Sequence, residues 1–312
     1  MHKVLLSAVS GLAFAARAFA AAGQLVQVDH FGPNPTDVAM FVYKPAQLAS
    51  PPPLIMAMHY CGGTAQAYFT GTQYANLADT HGFIIIYPNS PPDDGCWDVN
   101  TNATLTHNAG GDSLGIVSQV RYAIANYGVD PSRVFATGTS SGAMMTNVRM
   151  GAYLDVFAAG SAFSGVPYGC FAGQNAWNTQ SVNSSRLPKN GDTTLYLQNF
   201  WEDIKQWTNV FNVSQTPTSN ITNDPLPGYS RASFGPNLQA ILAQGVGHTV
   251  LEQANDVLNW FGLSDLTPGP VSPTSSSTSA APTSPPGLAQ HWNQCGGIGY
   301  AGPTGDRCYD YA

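Results

Sequence analysis

The stretch Arg133–Asn147, RVFATGTSSGAMMTN, decides the fold. It opens as a short apolar strand, passes through GTSSG at 138–142, and continues as a helix of small residues. This is the G-x-S-x-G pattern in the strand–turn–helix context of a nucleophile elbow, a sharp turn that raises its middle side chain above the end of a sheet. The candidate nucleophile is therefore Ser140. A plain Gly/Ser turn is the alternative, because the pentapeptide alone is a weak signal in a chain with 32 glycines.

Short apolar runs bounded by turn residues alternate with helix-like stretches on both sides of this motif. The predicted strands are Leu54–Tyr60, Phe83–Tyr87, Val134–Thr137, Phe157–Ser164 and Leu238–Ala243. The predicted helices are Gly115–Tyr127, Gly142–Met150 and Leu195–Phe211, the last with one apolar face formed by Leu197, Phe200, Trp201, Ile204, Trp207 and Phe211. Buried strands separated by helices imply a mostly parallel sheet, so we predict an α/β fold.

A serine nucleophile near neutral pH needs a base, and the base needs an orienting carboxylate. In α/β enzymes with this elbow the chain order is Ser, acid, His. Only His248 and His291 follow Ser140, and His291 lies in a C-terminal tail. His248 lies in a Gly-rich loop directly after a predicted strand, which makes it the candidate base. A surface-loop histidine is the alternative.

The acid must lie between Ser140 and His248. The candidates are Asp155, Asp192, Glu202, Asp203 and Asp224. Asp155 is too close to the nucleophile's helix, Glu202 and Asp203 fall outside the apolar face of their helix and are expected in solvent, and Asp224 is typical of a turn. Asp192, in a Gly-led loop before a helix, is favoured as the acid, with a simple N-cap as its alternative.

The oxyanion hole of such a site takes two backbone N–H groups. One comes from the residue after the nucleophile, here Ser141, and the other from a loop after an early strand. MHYCGG at 58–63 follows such a strand, and the Cys61 amide is favoured, with Tyr60 possible. A structural turn is again the alternative. The predicted reaction is attack of Ser140 on an ester carbonyl, with His248 taking and returning the proton and water releasing the acyl group.

Charge and composition exclude several partners. Lys and Arg number 11 against 18 Asp and Glu, so an electrostatic nucleic-acid binder is not expected. Residues 1–20 combine Lys3, an apolar run and Ala-Phe-Ala, the pattern of a secretory signal peptide. No other stretch approaches ~18 uninterrupted apolar residues, so we expect a secreted protein without a membrane partner. Four N-x-S/T sequons fit export: Asn102, Asn183, Asn212 and Asn220.

The chain divides into a body and a tail. Residues 267–287, TPGPVSPTSSSTSAAPTSPPG, cannot form a core and are predicted to be a linker. The body is 21–266 and the tail is 288–312. The body holds Cys61, Cys96 and Cys170, an odd number for an oxidising compartment, so at least one of the three should lack a partner within the body.

Many segments of the body resemble fungal acetylxylan esterases of carbohydrate esterase family 1. The segments that carry the resemblance include FVYKP (41–45), AMHYC (57–61), TAQAYFTGTQYANLAD (64–79), GCWDV (95–99), GGDSLGIVSQV (110–120), GTSSGAMMTN (138–147), DTTLYLQNF (192–200) and GVGHTV (245–250). The resemblance implies an α/β-hydrolase three-layer sandwich and removal of acetyl groups from xylan without a cofactor. It also implies a triad of Ser140, Asp192 and His248. Feruloyl esterases and polyhydroxybutyrate depolymerases share this chemistry and remain the alternatives.

The tail HWNQCGGIGY (291–300) resembles the start of a fungal cellulose-binding module. Such a module presents a flat row of aromatic residues, and Trp292 and Tyr300 are the candidates here. The sequence then departs from the module's pattern, without its later cysteines and paired tyrosines. A domain this small depends on disulfides, so we expect a poorly ordered stub that binds cellulose weakly or not at all.

One part of the body lacks an expected strand pattern. A triad acid is placed by a preceding sheet strand, yet residues 174–191, QNAWNTQSVNSSRLPKNG, contain no apolar run. A crossover from Phe157–Ser164 to another parallel strand needs a dozen or more residues besides the strand. The family implied by the resemblance has a longer segment here that includes a cysteine, which would explain an unpartnered Cys170.

We therefore predict that the sandwich lacks one strand before Asp192. The alternative is that Thr193–Leu197 supplies a short strand itself. A weakened or inactive product of a damaged gene follows as a third functional reading, beside an acetylxylan esterase and an esterase of other acyl specificity.

Overall fold

The computed structural model describes residues 23–91, 95–175, 192 and 194–269. Contacts divide the chain into residues 1–270 and 271–312, and every described residue belongs to the first unit. The predicted signal peptide, most of the predicted linker, and the tail with Trp292 and Tyr300 lie outside the described residues. Within the described ranges, no helix is long and apolar enough to cross a bilayer.

Nine strands and seven helices make up the described part of the chain. The strands are β1 (Leu25–Val28), β2 (Ala39–Tyr43), β3 (Leu54–Met58), β4 (Ile84–Asn89), β5 (Val134–Thr139), β6 (Ala159–Phe163), β7 (Ser219–Thr222), β8 (Tyr229–Ser233) and β9 (Gln239–Ala243). The helices are α1 (Ala65–Gly71), α2 (Tyr74–His81), α3 (Asn102–Leu105), α4 (Gly111–Tyr127), α5 (Ser141–Ala152), α6 (Gln198–Val210) and α7 (Ala254–Trp260).

A six-stranded mixed sheet with the order β1-β2-β4-β3-β5-β6 forms the centre of the fold. Strands β4, β3, β5 and β6 run parallel, whereas β1 and β2 add an antiparallel edge. Every residue of β3 is buried, which is the pattern of a strand covered on both faces of its sheet. Four of the five predicted strands thus lie in one parallel arrangement, and the predicted α/β class is confirmed.

The fifth predicted strand does not join that sheet. Leu238–Ala243 was expected beside the other parallel strands, but β9 pairs antiparallel with β8 in a separate sheet of order β7-β8-β9. Both β6 and β9 are edge strands of their sheets. The expectation was wrong because a strand's apolar character predicts burial and does not identify its neighbour.

A cavity of about 650 Å³ lies between these two edges. All of β6 and all of β9 line it, together with residues of α6 and α7. Between Ser164 and α6, the described residues contain one isolated bridge, at Leu195, and no strand. Residues 176–191, where most of the missing segment was predicted, are outside the described ranges, so the loss of a strand stays a prediction.

Helix α6 is shorter than predicted, and one side of it differs from expectation. Ile204 and Trp207 are buried as the apolar face requires, but Trp201 is 53 % exposed.

The prediction that Asp203 lies in solvent was wrong: its Oδ1 accepts a hydrogen bond from Asn147 Nδ2 at 3.0 Å, across the α5–α6 contact. Burial raises the pKa of Asp203 to about 7.

Candidate active site

Ser140 occupies the turn between β5 and α5, with φ 56° and ψ −116°. A non-glycine residue at positive φ is strained and persists only where its surroundings fix it. The Ser140 amide donates to the Phe163 carbonyl oxygen at 2.8 Å, at the end of β6. The backbone therefore holds the side chain above the carboxyl ends of the parallel strands.

The two glycines of the pentapeptide are required by close packing. A Cβ on Gly142 would lie 2.1 Å from the Met58 carbonyl oxygen, and a Cβ on Gly138 would lie 2.5 Å from the Gly142 carbonyl oxygen. Only hydrogen fits at either position. The strand, the turn and the helix can therefore approach each other as a nucleophile elbow requires.

The structure brings Ser140, His248 and Asp192 together. Ser140 Oγ lies 2.8 Å from His248 Nε2, and His248 Nδ1 lies 3.1 Å from Asp192 Oδ2. With Nδ1 donating to the carboxylate, Nε2 is left to accept the serine proton. His248 stands in the loop after β9, and Asp192 precedes α6, so three separate elements meet at this point.

Backbone amides hold the Asp192 carboxylate from the other side. Its Oδ1 accepts hydrogen bonds from the Thr194 and Leu195 amides at 2.7 and 3.0 Å. Burial by itself would raise the pKa of Asp192, but the hydrogen bonds from His248 and from these two amides outweigh it and leave the pKa below its usual value. The carboxyl is thus ionised at neutral pH and can orient an imidazole.

The two predicted oxyanion donors flank the elbow. Ser141 is the first residue of α5, where a helix leaves its amide without an intrahelical partner, and Cys61 follows β3. Neither amide nitrogen donates a hydrogen bond to another described residue. The Tyr60 carbonyl oxygen accepts from the Gly63 amide at 2.9 Å, which closes a turn around Cys61.

A disulfide joins Cys61 to Cys96 and ties the loop after β3 to a second loop. In that second loop the Trp97 amide donates to Ser141 Oγ at 3.0 Å, and the Trp97 indole donates to the His59 carbonyl at 2.8 Å. Trp97 therefore connects the Ser141 side chain, at the start of α5, to His59, two residues before Cys61. Trp97 was not among the residues predicted for the site, and the signal that could have identified it is its place in GCWDV (95–99), directly after a cysteine. Cys170 lies outside this disulfide.

A second network missed from the sequence lies beneath the elbow. Glu252, four residues after His248, accepts hydrogen bonds from the Tyr68 and Thr139 hydroxyls. No signal beyond the proximity of Glu252 to His248 could have identified this network. For a metal, the described residues contain no suitable group of three or more His, Cys, Asp or Glu side chains.

A nucleophile elbow on a mixed α/β sheet, with serine, histidine and aspartate in one hydrogen-bonded line, defines a hydrolase of the α/β-hydrolase type. Comparison with known proteins agrees. Residues 37–184 match the family model described as "Esterase PHB depolymerase". A solved structure, "Acetyl xylan esterase from Aspergillus awamori", superposes with a TM-score of 0.74 at 41% identity, covering 77% of this chain and all of that one.

Curated relatives identify the family within the α/β-type hydrolases to which this chain is similar. "Probable acetylxylan esterase A" of Aspergillus flavus is 48% identical over 276 residues, with 78% of this chain and 90% of the relative covered. "Acetylxylan esterase A" of Talaromyces purpureogenus is 41% identical over 336 residues, with 91% and 86% covered. The chain belongs to the acetylxylan esterase family and is a carboxylic ester hydrolase.

Proposed function

We propose that this chain is a secreted serine esterase that removes acetyl groups from acetylated xylan. The observation that carries the proposal is the line of contacts from Ser140 Oγ through the His248 ring to Asp192, at 2.8 and 3.1 Å. The family relatives named for acetylxylan esterase activity supply the substrate class. The finer assignment to carbohydrate esterase family 1 and export from the cell belong to the same proposal.

The first half of the reaction acylates the serine. Ser140 Oγ attacks the acetyl carbonyl carbon while His248 Nε2 takes the hydroxyl proton. Asp192 holds the Nδ1–H and stabilises the imidazolium that forms. The carbonyl oxygen becomes an oxyanion and accepts hydrogen bonds from the Cys61 and Ser141 amides. As the bond between the acetyl carbon and the sugar oxygen breaks, His248 donates the proton to that oxygen, and the sugar leaves with a free hydroxyl.

The second half regenerates the enzyme with water. His248 Nε2 takes a proton from a water molecule whose oxygen attacks the acetyl-serine carbonyl carbon. The same two amides stabilise the second tetrahedral intermediate. Its collapse breaks the bond to Ser140 Oγ, the serine regains a proton from His248, and acetate leaves. No metal or cofactor takes part in this scheme.

Replacing Ser140 by Ala tests the proposal. We expect acetate release from acetylated xylan to fall by about 10⁴-fold or more, since the variant keeps only the oxyanion donors and substrate binding. Ser219→Ala, on exposed β7, is the matched control and should keep full activity. Acetate release by the Ser140 variant at the rate of the control would reject the serine mechanism.

A polyester or feruloyl specificity is the second candidate, and the match of 37–184 to the polyhydroxybutyrate depolymerase model favours the polyester version. The three acyl classes separate in one assay with acetylated xylan, a feruloylated arabinoxylan fragment and a hydroxybutyrate oligomer. We expect the highest kcat/KM on acetylated xylan. A higher value on either other substrate would replace the acetyl assignment and leave the serine mechanism intact.

The tail carries a separate proposal. We propose that residues 288–312 with Trp292 and Tyr300 bind cellulose weakly or not at all. The full chain and a chain ending at residue 266 should then bind to microcrystalline cellulose to the same small extent. Retention of the full chain alone, lost when Trp292 is replaced by Ala, would overturn this.

A further inference from the structure

A buried carboxylate joins the loop of the candidate base to the strand of the candidate nucleophile. Residues 244–253 form the loop between β9 and α7, with His248 in its middle and Glu252 near its end. Glu252 Oε1 accepts one hydrogen bond from Thr139, the residue directly before Ser140, and another from Tyr68 on α1. The Tyr68 and Thr139 hydroxyls also contact each other at 3.1 Å.

The network is shielded from water. Tyr68 is 2% exposed and Thr139 is 7% exposed. Burial raises the pKa of the Glu252 carboxyl, and the hydrogen bonds from Thr139 and Tyr68 act in the opposite direction. A polar group in such surroundings is expensive to leave without partners, so these three side chains constrain one another's positions.

The loop that carries His248 needs a connection to the strand before Ser140, because the two residues follow strands of different sheets. Ser140 follows β5 of the six-stranded sheet, whereas His248 follows β9 of the three-stranded sheet, and the two sheets are not hydrogen-bonded to each other. Three backbone bonds of the loop stay within it or reach the small sheet: Val246 to Ala243, Val250 to His248, and Gln244 to Gly228. Glu252 connects the loop directly to the strand that carries the nucleophile.

We infer that Glu252 is a positioning residue that holds His248 Nε2 within reach of Ser140 Oγ. This role rests on the proposed function, because it requires His248 to be the base. Glu252 does not touch the reacting atoms; it fixes the distance between two groups that do. A displacement of about 1 Å at such a contact costs about 10²-fold in rate.

Glu252→Ala is the direct test, with Glu252→Gln as the conservative variant. The amide of glutamine keeps an oxygen that accepts from both hydroxyls, so we expect Glu252→Gln to keep at least about half of kcat. We expect Glu252→Ala to lower kcat about 10- to 100-fold on acetylated xylan with KM within about twofold of wild type. Asp79→Asn, which removes another carboxylate bound to a tyrosine hydroxyl, is the control and should keep kcat.

The double variant with His248→Ala separates positioning from general stability. If Glu252 acts through His248, then adding Glu252→Ala to His248→Ala should change the residual rate by less than about twofold. Rates are compared at a temperature where circular dichroism shows every variant folded. A further large loss in the His248→Ala background, or a single Glu252→Ala variant with wild-type kcat, would overturn the inference.

Failure of the positioning role of Glu252 can be told apart from failure of the proposed function. If Ser140→Ala and His248→Ala stay active, the serine mechanism itself is wrong. If both are inactive while Glu252→Ala matches wild type, only the positioning role is wrong.

Discussion

At the scale of single residues, the Asp192 carboxylate decides how well the imidazole is oriented. One of its oxygens contacts His248 and the other is fixed by two backbone amides. An asparagine at this position would fill the same volume, but it has only one acceptor oxygen and adds an N–H donor. The positions of the side chains would thus stay the same, while the tautomer that the His248 imidazole prefers would change.

Asp192→Asn should therefore lower kcat by about 10⁴-fold while leaving the fold unchanged. Because the pKa of Asp192 is depressed in the folded state, the carboxylate contributes stability above the ordinary carboxyl pKa of about 3.9, and that contribution is lost as pH falls through the lower folded value. The difference in unfolding free energy between wild type and variant should shrink below about pH 4. Urea titrations at pH 6 and pH 3 measure it. An unchanged difference would contradict a depressed pKa for the Asp192 carboxyl.

At the scale of elements, the elbow depends on contact between β3, β5 and α5. Gly142→Ala places a methyl group 2.1 Å from a backbone oxygen that cannot move aside as a flexible side chain could. We expect the free energy of unfolding to fall by about 1–3 kcal/mol or more. Thermal unfolding measures it.

Gly71→Ala, in α1, is the matched control for this substitution. Apart from its chain neighbours and the backbone of its own helix, no atom lies within 4 Å of the added methyl group, and the residue is helical. This change should be neutral or raise stability by up to about 1 kcal/mol. Equal melting temperatures for the two alanine variants would contradict the packing argument.

Asp203, at the α5–α6 contact, is a second titrating carboxyl, and its effect on stability changes with pH in the opposite direction to that of Asp192. The pKa of Asp203 is raised to about 7 by burial, with Asn147 as its hydrogen-bond donor. A carboxyl with a raised folded pKa binds its proton more tightly in the folded state, so its stabilising effect is present at low pH and is lost as pH rises toward 7. Asp203→Asn should remove that decline, so the variant gains stability relative to wild type between pH 4 and 7. A gain that does not depend on pH would contradict a shifted carboxyl.

Prediction from sequence worked best where local pattern and chemistry coincide. The strand–GTSSG–helix pattern predicted Ser140, and chain order together with the local context of each candidate predicted His248 and Asp192. The structure brings these three side chains into contact. The small sheet was missed because SNIT (219–222) and YSRAS (229–233) have no strong alternation of apolar and polar residues. Trp97 and Glu252 were missed because their roles depend on contacts between residues 44 and 113 positions apart in the chain.

At the scale of the whole molecule, the cavity between β6 and β9 is the place that the predicted missing strand would occupy. The alignment with the Aspergillus flavus relative spans 276 residues but uses 78% of this chain, about 243 residues, so roughly 33 positions have no counterpart here. Two edge strands facing one cavity leave room for a strand between them. A strand that paired with both edges would join the two sheets into one.

A chimera tests the predicted missing strand. Replacing residues 174–191 by the corresponding segment of the Aspergillus flavus relative should raise the melting temperature and kcat, because a strand between β6 and β9 would support Asp192 and Leu195 at the cavity wall. A Gly/Ser segment of the same length is the control and should do neither. Equal melting temperatures and equal kcat values for the two insertions would contradict the prediction, because the sequence of the inserted segment would then have no effect.

The link between Cys61 and Cys96 has a practical consequence for producing this protein. A bacterial cytosol keeps thiols reduced, and there the loop that contains Cys61, the predicted oxyanion donor, would lose its covalent attachment to the segment containing Trp97. Material made in that compartment should fold around the same sheet yet turn over slowly, and mild oxidation should restore its rate. Recombinant expression is therefore better directed to the periplasm or to a yeast that exports its products.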